Sequence, residues 1–283
     1  MQSIFSVDEM AEYSRRQRSQ GYGIALVPTM GYLHEGHLSL VRLAHKLAER
    51  VVVSIFVNPT QFGPGEDFDR YPRDLDRDLG LLRKEKTDCL FHPSIEEMYP
   101  EGHATEARVT GPLTEVLCGA ARPGHFAGVT TVVLKLFNIV RPDTAVFGQK
   151  DYQQCQVVKR MVQDLHLDVK IFPAPIAREA DGLAMSSRNR YLSPDLRRQA
   201  RELYASLQLV EKQFDEGERD AMKLREAGVN YLRQLAPDCM LDYYEIADRE
   251  TLRPLARVGV DGAVALVAAY FGETRLIDNV LLT

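Results

Sequence analysis

The chain has no long apolar run, no surplus of positive charge and no paired cysteines, and each absence removes a class of function. Its longest apolar stretches, such as Val51–Val57 and Ala263–Tyr270, fall far short of the ~20 residues that a membrane helix needs. The N-terminus, MQSIFSVDEM, lacks a basic segment followed by an apolar run, so no signal peptide is expected. The formal net charge of -5 disfavours nucleic acid as a partner, because gripping its phosphates calls for a basic surface. Cys89, Cys118, Cys155 and Cys239 form no C-x-x-C pair, which excludes a zinc knuckle and a disulfide-stapled fold. Reduced thiols filling the core of a cytoplasmic protein are the economical expectation. Neither H-E-x-x-H nor G-x-S-x-G occurs, so no covalent nucleophile stands out. Internal repeats and low-complexity segments are absent as well.

What is present is an ordinary globular composition. The 283 residues are 45% hydrophobic and 27% charged, enough for a sizeable core and about two domains. Ser6-Val7-Asp8-Glu9 opens a helix that runs to about Ser19. Strand and helix then alternate from Ile24 to about Phe172. Ile24–Val27, Val51–Val57, Cys89–His92, Ala145–Phe147 and Val169–Phe172 read as strands. His37–Arg50, Asp74–Lys86, Val129–Val140 and Asp151–Leu165 read as helices, while Glu96–Pro123 resists assignment. Alternation of this kind predicts a Rossmann-like doubly wound parallel α/β sheet. After Pro173–Ile176 the pattern changes. Two amphipathic helices, Pro194–Phe214 and Asp220–Leu235, precede three strands, Leu241–Ile246, Gly262–Tyr270 and Thr274–Leu281. The expected division is therefore 1–175 as the Rossmann-like domain and 176–283 as a smaller α+β domain.

Ligands bind beyond the carboxyl ends of the strands in such a sheet. PTMG, FVNPTQF and FGQKD each follow a predicted strand, so three distant polar clusters should converge on one crevice. The first is the most informative. Pro28–Leu40, PTMGYLHEGHLSL, puts Gly31, His34, Gly36 and His37 between a strand and a helix start. Free N–H groups and the positive end of the macrodipole make such a turn a phosphate site. His34 and His37 are three apart and share a face. They suit donation to a triphosphate and stabilisation of charge when the α-phosphorus is attacked. The alternative is that one of them only caps the turn. Gly36 would admit a base or ribose.

The other candidates are plainer. Lys150, after Gly148-Gln149, is a point charge able to reach phosphate or an ordinary surface lysine. Asp151 suits an N-cap or a position near a nucleotide. Met185-Ser186-Ser187-Arg188 offers two hydroxyls and a guanidinium where the domains should meet. Gln61 and Gln154 are solvated amides or the recognition groups for a small polar substrate. A carboxylate held by neutral amides keeps its charge available for attack, which an arginine fork would withdraw. Asp74, Asp76 and Asp78 are read mainly as solvated surface, with a share in holding Mg²⁺ as the alternative.

Together PTMGYLHEGHLSL, VSIFVNPTQFGPGEDFDRYPR, RPGHFAGV, FGQKDYQQ and MSSRNRYLS resemble the pantoate–β-alanine ligase (pantothenate synthetase) family, which belongs with the class I aminoacyl-tRNA synthetases and nucleotidylyl transferases. The motifs run in family order from Pro28 to Ser193; the region beyond Pro194 carries weaker ones. His34–His37 stands where the superfamily has His-x-Gly-His, and Met185–Arg188 where it has a lysine-rich loop, here without a lysine. The resemblance implies that pantoate attacks Mg·ATP to give pantoyl adenylate and pyrophosphate. β-Alanine then attacks the acyl carbon to give pantothenate and AMP. It implies ATP contacts from Met30, Gly31, Tyr32, Leu33, His34, Glu35, Gly36 and His37. Further ATP contacts come from Gly148, Gln149, Lys150 and Asp151, from the backbone at Ala177, and from Met185, Ser186, Ser187 and Arg188. Gln61 and Gln154 would bind pantoate, with Gln61 also beside β-alanine. His37, a proton donor, would work with His34, Lys150 and Arg188 as the catalytic set. The metal ligands are left unassigned. A cytoplasmic homodimer is the family's usual form. A nucleotidylyl transferase acting on another acid or phosphate, and a non-catalytic nucleotide- or RNA-binding module, are the competing readings.

Overall fold

The computed structural model describes all 283 residues. Its first layer system is a six-stranded, wholly parallel sheet in the order β1-β4-β3-β2-β5-β6. The strands are β1 (Gln2–Ile4), β2 (Ile24–Thr29), β3 (Arg50–Ile55), β4 (Cys89–Phe91), β5 (Thr144–Gly148) and β6 (Lys170–Ala174). Alternate residues of β2 explain the two covered faces. Ile24 and Leu26 join a core built with α1 (Val7–Ser19), while Ala25 and Val27 join the core under α2 (Glu35–Ala44) and α3 (Leu75–Lys84). All four are fully buried, as expected of a strand sandwiched between helices.

Three short helical turns follow β4: α4 (Ile95–Met98), α5 (Pro112–Glu115) and α6 (Cys118–Ala121). They occupy the stretch whose sequence gave no period. The long helices α7 (His125–Val140) and α8 (Tyr152–Asp164) then cover the α1 face of the sheet. The C-terminal part holds α9 (Pro194–Ala200), α10 (Glu202–Asp215) and α11 (Ala221–Leu235). These pack on an antiparallel sheet of β7 (Cys239–Ala247), β8 (Ala263–Phe271) and β9 (Thr274–Leu282).

The expected architecture is present, with local differences. β1 adds an edge strand that three residues were too few to signal by periodicity. The helix expected over His37–Arg50 begins earlier, at Glu35, and stops at Ala44. Leu47 and Ala48 still pack against the core, but from a turn. The helix expected from Val129 begins at His125, because Gly124 at φ +84° supplies the left-handed residue that starts it. Pro194–Phe214 is broken at Arg201. Asp74 is the N-cap of α3, accepting from the Arg77 N–H at 3.1 Å, and Asp78 is buried rather than solvated.

Candidate active site

β2 pairs with β3 on one side and β5 on the other. Chain direction away from β2 reverses here, so the carboxyl ends of β2 and β5 form the switch point where a crevice opens. The turn after β2 is rigidly tied. Thr29 Oγ1 donates to the Ser54 carbonyl at 2.8 Å and accepts from the Gly31 N–H at 3.2 Å. Gly31 sits at φ +80°, and an added Cβ would lie 2.9 Å from Ile55, so only glycine makes this turn. The Asp78 carboxylate then accepts from the N–H groups of Tyr32 and Leu33 at 2.7 and 2.8 Å. Two of the turn's donors are thus spent on the protein.

α2 begins immediately after. His34 is its N-cap, and the His34 N–H donates to Nδ1 of His37 at 3.3 Å. The two imidazoles pack with centroids 4.0 Å apart and planes tilted by 36°. A Cβ on Gly36 would meet the His34 ring at 2.9 Å, so this glycine makes room for the imidazole. Because His37 Nδ1 accepts, the neutral ring carries its proton on Nε2. His34 Nδ1 is buried without a partner. Burial, followed by Lys150 and Arg77, lowers the His34 pKa from 6.5 to about 4. Burial, His34 and Lys150 hold His37 well below 6.5. Both rings are neutral at pH 7.

A small inner cavity of ≈ 180 Å³ lies against His37. His37, Met30, Gln61 and Gln154 line it together with Val129, Val132, Val133, Leu136 and Phe147. Amides, the imidazoles of His37 and His125, and the charged ends of Arg122, Asp151 and Arg188 thus face an apolar wall. Gln61 is held by Asn58, whose Nδ2 donates to Gln61 Oε1 at 3.2 Å, and by its own Nε2 donating to Met30 Sδ at 3.2 Å. Asn58 is almost fully buried; its Nδ2 also donates to the Gly128 carbonyl at 3.1 Å. His125 bonds the Gln61 carbonyl through Nδ1 at 2.8 Å and meets Arg122 through Nε2 at 3.1 Å. Burial and Arg122 lower the His125 pKa to about 4.

A wider outer cavity of ≈ 770 Å³ opens beyond, lined by Lys150, Asp151, Ser186 and by β9 residues. Arg122, His125, Asp151, Gln154 and Arg188 border both chambers. Two adjacent carboxylates fill the arginine forks. Asp67 takes Arg188 at 2.8 and 2.7 Å, and Glu66 takes Arg122 at 2.7 and 2.6 Å. Burial pushes the Asp67 carboxyl up, but the Arg188 bonds outweigh it and hold the pKa below the usual value. Ser187 Oγ lies 3.0 Å from the Tyr71 hydroxyl. Asp181-Gly182 turns a short hairpin, which brings the Met185 N–H to the Ala177 carbonyl at 2.9 Å. Met185 sits over Gly36, 3.5 Å from where its Cβ would be.

The structure therefore brings Met30, His37, Gln61, Gln154, Lys150, Asp151, Ser186 and Arg188 to the two chambers. Tyr32 and Leu33 offer N–H groups already bound to Asp78, and the Leu33 side chain is fully buried. Glu35 is exposed and paired with Arg42. Asp151 occupies the N-cap position of α8 without a side-chain capping bond. Sequence reasoning did not single out Asn58, Arg122, His125, Glu66 or Asp67, and it read Asp78 as solvated surface, whereas that carboxylate is buried and clamps the Tyr32 and Leu33 N–H groups. Asn58, Glu66, Asp67, Arg122 and His125 all lie in the quoted motifs VSIFVNPTQFGPGEDFDRYPR and RPGHFAGV, so the signal was there without a geometry to assign it. No group of three or more His, Cys, Asp or Glu is arranged to hold a metal.

Fold and crevice together define a doubly wound α/β protein with a two-chambered cleft at the switch point of its sheet. The chain belongs to the pantoate-beta-alanine ligase family, whose model matches residues 2–281, and it is accordingly a ligase. It is 56% identical over 282 residues to the pantothenate synthetase of Thermotoga neapolitana, covering 100% of both chains. It is 54% identical over 282 residues to that of Moorella thermoacetica, covering 100% of this chain and 99% of the relative. The crystal structure of pantothenate synthetase from Thermus thermophilus superposes with a TM-score of 0.95 at 49% identity, covering 100% of this chain and 99% of that one. The Francisella tularensis pantoate-beta-alanine ligase, complexed with beta-gamma ATP and beta-alanine, gives 0.81 at 33% identity, covering 100% and 98%.

Proposed function

We propose that the cleft condenses pantoate with β-alanine at the expense of ATP, through a pantoyl-adenylate intermediate. One observation carries this reading. A small half-apolar chamber carrying Gln61 and Gln154 adjoins His37, one of two neutral, closely packed histidines at a helix N-terminus, and shares Gln154 with the outer chamber that Lys150 lines. Pantoate is a carboxylate with hydroxyls and a gem-dimethyl group. The valine and leucine wall of α7 matches its methyls, and Gln61 and Gln154 match its polar end. Neutral amides hold the carboxylate without drawing charge from the attacking oxygen.

The triphosphate then spans from His34 and His37 to Lys150 and on to the Ser186–Arg188 loop. Gly148, Gln149 and Asp151 flank the ribose side, and the Ala177 backbone, paired with Met185, flanks the adenine. His37 Nε2–H donates where charge builds on the phosphate, and Lys150 balances it as a point charge. ATP's own charge raises the proton affinity of both histidines as it binds, so His37 can release a proton to the departing pyrophosphate. β-Alanine enters from the outer chamber past Gln61. Mg²⁺ would come in with ATP as part of the co-substrate and would offset phosphate charge. Residues 1–175 hold ATP and pantoate, and 176–283 act as the smaller domain that covers the outer chamber. The working form is read as a cytoplasmic homodimer.

ATP–pyrophosphate exchange tests the reading. Exchange should require pantoate, and later addition of β-alanine should release AMP. Exchange with a different acid or phosphate acceptor, or none with any acid, would overturn it.

A further inference from the structure

We infer that Asn279, on the C-terminal sheet, is the positioning residue that sets Lys150 for reaction; this rests on the reading of Lys150 as the phosphate-facing cation. Lys150 lies in the short helical turn Gln149–Asp151, which follows β5. Such a turn leaves backbone carbonyls without intrahelical partners. Asn279 Nδ2 donates to the carbonyls of Gln149 and Lys150, each at 3.0 Å. Both protons of one amide are therefore spent on two successive peptide units of the catalytic turn.

The orientation of that amide is fixed by chemistry. A flip would put Oδ1 against two carbonyl oxygens. As it stands Oδ1 is buried without a partner, which is the lesser cost. Asn279 itself is 2% exposed and borders the outer chamber. Its neighbour anchors it from the other side. Asp278 Oδ1 accepts from the Asn279 N–H at 2.8 Å, while the Asp278 carboxylate takes a two-point bond from Arg178 at 2.6 and 3.0 Å. Arg178 stacks on Tyr204 of α10, 3.5 Å from the ring centroid. It also follows Ala177, the residue read as lying at the adenine. One dipeptide of β9 thus grips both the Lys150 turn and the Ala177–Arg178 segment. The C-terminal sheet, which contributes no side chain to the chemistry as read above, supplies the frame that registers Lys150 against the histidines.

A mislaid catalytic group loses rate out of proportion to the displacement, about 100-fold for ~1 Å. The test is a double-mutant cycle in the full-length enzyme, reading pantoate-dependent ATP–pyrophosphate exchange. Asn279→Ala should lower the exchange rate by about 10- to 100-fold, with the KM for pantoate within about twofold. In a Lys150→Ala background the same change should have almost no further effect, because the group it positions is gone. Asn279→Ser, which keeps one donor, should fall between. It replaces the alanine variant in the cycle if that variant does not fold. Multiplicative losses, or a loss tracking only a lower melting temperature, would overturn the positioning role and leave the Lys150 reading intact. A near-normal Lys150→Ala enzyme would remove that reading and this one with it.

Discussion

The His34 N–H donates to His37 Nδ1 at 3.3 Å while the two tilted rings pack with centroids 4.0 Å apart. This pair does two jobs at once, closing the first turn of α2 and fixing which His37 nitrogen carries the proton. His37→Ala should cost about 10²- to 10³-fold in exchange rate, the scale of losing one aimed donor. Its fold should survive, since a lost capping contact costs only about 1 kcal/mol. Exchange kinetics beside a melting curve check both halves, and near-normal turnover would sink the role.

The neutral histidines also predict how stability depends on pH. His34 and His125 are each lowered from 6.5 to about 4, chiefly by burial. The unfolded chain therefore binds protons that the folded chain refuses. Their stabilisation is complete above pH 6.5 and is lost as pH falls from there through about 4. Melting temperature of the ligand-free protein should decline across that window. His125→Asn should flatten part of the decline, and an unchanged slope in that variant would refute the assignment.

Asp78→Ala should damage the site from outside it. Burial raises this carboxyl's pKa, and the Leu33 and Tyr32 N–H bonds partly offset that. Removing it strands two buried donors, a loss of roughly 3 kcal/mol or more for bonds to a charged group. The turn carrying His34 would loosen, so exchange rate and melting temperature should fall together. Loss of rate with the melting temperature unchanged would count against the clamp.

Much of this was legible in the sequence, for identifiable reasons. The β-branched run at Val51–Val53 and the alternation of strands and helices carry the doubly wound parallel sheet almost by themselves, though not its strand order. The Gly31–His37 turn is readable because glycines and histidines at fixed spacing have few other uses. Asp78 was not, since it lies 45 residues from Leu33, its partner, and its neighbours Asp74 and Asp76 look like a solvated face. Arg188 was identified by residue type, but nothing local says that Asp67, 121 residues away, fills its fork. Pairings made by the fold, not by a period, are what sequence reading misses.

Asp67→Asn should tighten ATP binding. A carboxylate in the Arg188 fork competes with any phosphate meant for it. Neutralising Asp67 should lower the KM for ATP by several-fold, roughly 1 kcal/mol by the usual conversion, while the melting temperature drops slightly. A raised KM would mean that Asp67 aims the guanidinium and does not block it.

Gly128→Ala sets two effects of opposite sign against each other. In a helix interior, alanine is favoured over glycine by roughly 1 kcal/mol, so the substitution should stabilise α7 if space allows. Space does not allow it. The added Cβ would lie 2.4 Å from the Thr60 carbonyl oxygen, 2.5 Å from its carbon and 2.6 Å from the Gln61 nitrogen. These are backbone atoms, which cannot rotate away as a side-chain end could. Overpacking of this kind costs roughly 1–3 kcal/mol, so the net should be destabilising, and the Pro59–Gln61 turn must shift off the helix. Gln61 moves with it, and its bond to Asn58 is strained. The expected result is a lower melting temperature and a KM for pantoate raised about 10-fold, with the KM for ATP nearly unchanged, since the histidine turn and Lys150 lie on other strand ends. A more stable variant with an unaltered pantoate KM would show that this contact does not set Gln61.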